Sequence, residues 1–184
     1  MKRNKTVKTI LALSLMATVM TSCSSDDDTP EVVNEEEIIT TMTVTLTSAD
    51  GTATLQSQDL DGDGPNEPVI TADNLTANTT YTGSIELLNE TETPAEDITE
   101  EVAEEADEHQ FFFGLSGAIA EVTYSDEDGD GNPIGLEFEL TTGDAGTGTV
   151  TITLRHEPTK PNDGTLADAG GETDITQTFD VVVE

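Results

Sequence analysis

Thr149-Val150-Thr151-Ile152-Thr153-Leu154 alternates threonine with a branched apolar residue, and that period of two limits what this chain can fold into. A helix would scatter Val150, Ile152 and Leu154 around its circumference, whereas a strand puts all three on one face. The same pattern recurs in Met42, Val44 and Leu46, then Ala53 and Leu55, then Tyr81, Ile85 and Leu87. It returns in Val122 and Tyr124, in Leu136, Phe138 and Leu140, and in Ile175, Phe179, Val181 and Val183. Turn-forming clusters separate these runs: Asp50-Gly51, Asp61-Gly62, Asn74, Gly143 to Gly148 and Asn162 to Gly164. Seven or more short strands with no strand–helix alternation predict an all-β fold, a single antiparallel β-sandwich of immunoglobulin-like type. With no Trp, two Tyr and five Phe, most of its core must come from Val, Ile, Leu and Thr.

One segment departs from the pattern. From Pro94 to Asp107 the apolar residues Ile98, Val102 and Ala106 fall four apart, which predicts one short helix between strands, capped by Thr93 or Asp97. Phe111-Phe112-Phe113 then opens a strand. Side chains alternate across a strand, so at least one of the three lies outside the main core or under the helix.

The N-terminus carries Lys2, Arg3, Lys5 and Lys8, then an apolar run from Ile10 to Val19 that is too short to span a bilayer as a mature helix. Met20-Thr21-Ser22-Cys23 resembles a bacterial lipobox, which implies a signal peptide over 1–22, cleavage before Cys23 and lipid on that residue. Cys23 is the one cysteine, so no disulfide forms within a single chain. Ser24-Ser25-Asp26-Asp27-Asp28 resembles the signal that sends Bacteroidota lipoproteins to the outer face of the outer membrane. The expected organisation is a disordered signal, an acidic tether over 23–37 and a β-sandwich domain over 38–184. The expected location is the cell surface, with a lipid anchor holding the chain to the outer membrane.

Cleavage would leave Arg155 and Lys160 against all 39 acidic residues, a formal charge of about −37. Such a surface repels nucleic acid, attracts cations and repels itself unless salt or bound metal offsets the charge. Adaptation to a salty medium explains the same charge.

Ser125 to Glu137 concentrates that acidity. Asp126, Asp128 and Asp130 stand at positions 1, 3 and 5 of a D-x-D-x-D-G loop, with Gly131 at 6 and Glu137 at 12, the spacing of a calcium loop. Strand-like residues flank it on both sides, so the competing reading is the acidic tip of a β-hairpin. Asp59, Asp61 and Asp63 repeat the spacing ahead of Gly64, but position 12 is Ile70. The two histidines, His109 and His156, both neighbour carboxylates, with Glu105 four residues before His109 and Glu157 directly after His156. Imidazole and carboxylate together suit Zn, Cu or Fe. The alternative is a pair of surface histidines with raised pKa values in a negative field. Candidate ions are therefore calcium at the Asp loops or a transition metal at the histidines.

Catalytic patterns are missing: the sequence has no nucleophile elbow, no H-E-x-x-H and no G-x-x-x-x-G-K. The expectation is a non-catalytic binding module that captures divalent metal or partners a TonB-dependent outer-membrane receptor. The alternative is a structural or adhesive module for protein or glycan, with acidity serving only solubility. Ile98 to Gln110, Leu154-Arg155-His156-Glu157-Pro158 and Gly170 to Ile175 resemble small flavobacterial lipoproteins often labelled type 1 periplasmic-binding-fold superfamily members. That label implies two α/β lobes at about twice this length, whereas the alternation implies all-β. The resemblance brings no site or ligand with it.

Overall fold

The structure is a computed structural model that describes residues 37–61 and 66–184. The expected signal peptide, Cys23, the tether up to residue 36, and Asp63 lie outside the described residues.

In chain order the strands are β1 (Thr41–Ser48), β2 (Gly51–Gln58), β3 (Val69–Ala72), β4 (Thr80–Asn89) and β5 (Glu96–Asp97). Helix α1 (Ile98–Glu104) precedes β6 (His109–Gly117), β7 (Ile119–Tyr124), β8 (Glu137–Thr142) and β9 (Gly146–His156). A one-turn helix α2 (Leu166–Ala169) and β10 (Glu172–Val183) complete the order. One sheet runs β3-β2-β1-β4-β8-β7, with the short β5 added to β4, and the other runs β10-β9-β6. The strand pairings in both sheets are antiparallel.

The two sheets bury a shared core, so the all-β sandwich expected from the alternation is the observed fold. Val150, Ile152 and Leu154 of β9 meet Met42, Val44 and Leu46 of β1 in one cluster. Each such side chain contributes about 1.5–3 kcal/mol by leaving water. Phe111, Phe138 and Phe179 are fully buried and anchor this core, a larger aromatic share than the composition suggested. On the outer face of β9, Thr149, Thr151 and Thr153 bond across the strands to Ser116, Thr178 and Thr176 at 2.8, 2.8 and 3.1 Å. This hydroxyl ladder accounts for the threonine half of the alternation. Phe112, on the face opposite Phe111, is buried outside the core cluster.

Helix α1 is shorter than the Pro94–Asp107 run. Glu96 and Asp97 pair with Asn89 and Leu88 of β4, which holds them in extended backbone. Asp97 then caps the helix, accepting from the Thr99 amide at 3.0 Å. Thr99 accepts from the Leu87 amide at 2.9 Å and donates to the Leu87 carbonyl at 3.2 Å, tying the helix to β4. Ile98 and Val102 are buried beneath it. The helix stops at Glu104, where further acids would face the negative end of its dipole. Sequence periodicity missed two elements. The four residues of β3 are all exposed, and α2 is a single turn, so neither presents an apolar stripe.

Candidate metal centre

The D-x-D-x-D-G segment joins β7 to β8 as the tip of a hairpin. Its carboxylates turn toward the chain's own donors. Asp126 accepts from the amides of Gly135 and Glu137 at 2.7 and 3.0 Å. Asp128 accepts from the amides of Asp130 and Asn132 at 3.0 and 2.8 Å, and from the Asn132 side chain. Its Oδ2 also takes the Lys160 ammonium at 3.1 Å, a pair almost wholly removed from water. Burial alone would raise the Asp128 pKa, but Asn132, Lys160 and the Asp130 amide together hold it well below the usual carboxylate range. Asp130 and Glu137 are exposed. In the other Asp-rich loop, Asp59 accepts from the Asp61 amide at 3.3 Å, and Asp61 accepts from the Asn66 side chain at 2.6 Å.

The histidines come together. His109 opens β6, His156 closes β9, and the two are directly opposed in the ladder. Their rings stack at 4.7 Å between centroids, 16° from parallel. His109 shares its strand face with Phe111, and His156 shares its face with Leu154, so both rings point inward at one end of the sandwich. Neither is a surface residue: His109 is fully buried and His156 is 6% exposed.

The hydrogen bonds of His109 define its protonation. Its Nδ1 lies 3.1 Å from the carbonyl oxygen of Glu105. A carbonyl only accepts, so Nδ1 carries the proton. Burial lowers the His109 pKa; the Glu105 carbonyl opposes that shift, and His156 adds to it. The ring is thus neutral near pH 7, and Nε2 holds a bare lone pair. That Nε2 is buried and has no hydrogen-bond partner. A lone pair fixed in this way by a carbonyl on the other nitrogen is the form in which histidine ligates metal.

Acidic side chains lie close to the His109 ring. Among the described residues, two groups bring ligand atoms within 4.8 Å of one another: His109, His156 and Asp174, and Glu37, Glu105 and His109. Asp174 sits at a bulge of β10, where the pairing with β9 shifts between Thr173 and Ile175. The extra residue breaks the alternation and re-aims a side chain, a common use of bulges. Glu37 precedes β1; burial, then Glu101, Asp174 and Glu105, raise its pKa to about 7. Of the set expected around the histidines, Glu105 is present. Glu157 is exposed and belongs to neither group. Glu108 takes its place beside His156, with Oε2 3.7 Å from Nε2.

No family model, curated protein or solved structure matches this chain.

Tetrahedral ligands at about 2.0–2.1 Å from a metal stand roughly 3.4 Å apart, so an ion needs only a modest inward closure of these side chains. His109, His156 and Asp174 offer two nitrogens and a carboxylate oxygen, and the second group offers His109 with Glu37 and Glu105; either is a nitrogen–oxygen donor set suited to Zn, Cu or Fe. A cation would also relieve the mutual repulsion of Glu37, Glu101, Glu105 and Asp174. Asp174 and Glu37 escaped the sequence reading. A bulge leaves no mark in composition, and Glu37 belongs by its neighbours to the acidic tether.

Proposed function

We propose that this chain is a non-catalytic, lipid-anchored β-sandwich module of the outer-membrane surface. It captures a divalent transition-metal ion at the His109–His156 end and presents it to an outer-membrane receptor of the TonB-dependent class. The anchor and address rest on the Cys23 context and the acidic residues behind it. The capture reading rests on a single observation: the buried, unpartnered Nε2 of His109, on a ring that shares ligand-distance groups with His156, Asp174, Glu37 and Glu105. Leaving such a group unsatisfied costs about 1–3 kcal/mol, which a ligated ion recovers. Calcium at the hairpin tip is the weaker candidate, since it would have to displace Lys160 from Asp128. Isothermal calorimetry with Zn²⁺, Cu²⁺ and Ca²⁺ tests the proposal, with heat and a raised melting temperature expected for Zn²⁺ or Cu²⁺.

A structural or adhesive module is the second reading. The Asp126–Asp128 turn favours it, because those carboxylates serve the chain's own amides and ammonium. It predicts no heat and no thermal shift with any of the three ions.

A further inference from the structure

A cleft of about 360 Å³ opens along the seam between the two sheets, where Ser57 of β2 donates a hydrogen bond to Gln177 of β10 at 2.9 Å. Glu37 and Asp174 line its wall, and both also belong to the groups that converge on His109. Asp59 is the remaining charged residue of the lining. The cleft thus meets the metal centre through two shared carboxyl groups, and its three ionisable side chains are all acids.

We propose that this seam is the mouth of the metal centre and that it admits the free hydrated divalent cation while rejecting anionic metal chelates. The inference rests on the capture reading above. Six waters at about 30 Å³ each occupy roughly 180 Å³, so a hydrated ion fits the cleft. Its negative walls raise the local concentration of cations and repel a metal already wrapped in citrate or nitrilotriacetate. Other approaches are less favourable. Ile98 and Val102 of α1 are buried in the core. On the loop side, the Lys160 ammonium donates to the His109 carbonyl at 2.7 Å and to the Ala106 carbonyl at 2.6 Å and fills the space there. Ions passing the mouth exchange water for Glu37 and Asp174 before reaching the imidazole.

Stopped-flow loading of the full chain with Zn²⁺ tests this, using two variants outside the ligand set. Gln177→Trp narrows the mouth; it should slow association and dissociation by the same factor, about tenfold, and leave the equilibrium constant unchanged. Asp59→Lys inverts a wall charge; it should slow association several-fold at low salt, with the difference shrinking at about 1 M salt, where the screening length is roughly 3 Å. Loading from Zn²⁺–nitrilotriacetate should follow the free ion rather than total zinc. Zn²⁺ binding with wild-type rates in both folded variants overturns the mouth and leaves the metal site standing. If Gln177→Trp fails to fold, Asp59→Lys decides alone. Absence of Zn²⁺ binding in the unaltered chain overturns the capture reading and this inference together.

Discussion

His109 and His156 face each other across the β6–β9 ladder with their rings stacked 4.7 Å apart, although they stand 47 positions apart in the chain. Burial, with His156 stacked beside it, lowers the His109 pKa and favours the neutral ring. Neutral imidazole is also the ligand form, so the packing that buries His109 prepares it for an ion.

Glu37 gives the metal-free protein an unusual pH profile. Its folded-state pKa, about 7, lies above the ordinary 4.5, so the folded chain holds more protons than the unfolded chain between those values. Stability from this group is therefore full below about pH 4.5 and is lost as pH rises through 7. Thermal melts of metal-free protein should show this decline, and Glu37→Gln should flatten it and raise the melting temperature at pH 8. An unchanged pH profile in the variant would show that the Glu37 carboxyl is solvated.

Lys160 and Asp128 form a buried pair whose separation leaves a charge without its partner. Lys160→Met should cost about 3–5 kcal/mol in denaturant unfolding. Asp128 behaves oppositely to Glu37. Its folded-state pKa is depressed below 3.8, so its contribution is present above that value and is lost as pH falls beneath it. Acid titrations of unaltered protein and Asp128→Asn should separate in that range.

Gly83 of β4 lies against the Phe138 ring. A Cβ placed there would stand 2.5 Å from two ring carbons. Gly83→Ala should destabilise by about 1–3 kcal/mol through overpacking, read as a lower urea midpoint at an unchanged slope. A neutral result would mean that Phe138 shifts without cost.

The sequence makes the sheets legible because one buried face forces alternation, and Val150, Ile152 and Leu154 show it cleanly. It hides β3, since an edge strand with all four residues exposed has no face to mark. The histidines stand out as chemistry in a chain so poor in them, but their meeting depends on register, with His109 opposite His156, which only the paired strands reveal. Asp174 is hidden by the bulge that re-aims it. The Asp-rich hairpin shows the converse: its calcium-loop spacing is plain in sequence, while the lysine that reaches Asp128 comes from 32 residues away.

Zn²⁺ titration of the metal-free chain beside its His109→Ala variant tests the central claim most directly. The unaltered chain should bind one ion, and the variant should lose about 100-fold or more in affinity, beyond what loss of a mere outer-shell partner costs. Equal affinity in both proteins, or no binding in either, would contradict a metal centre built on His109.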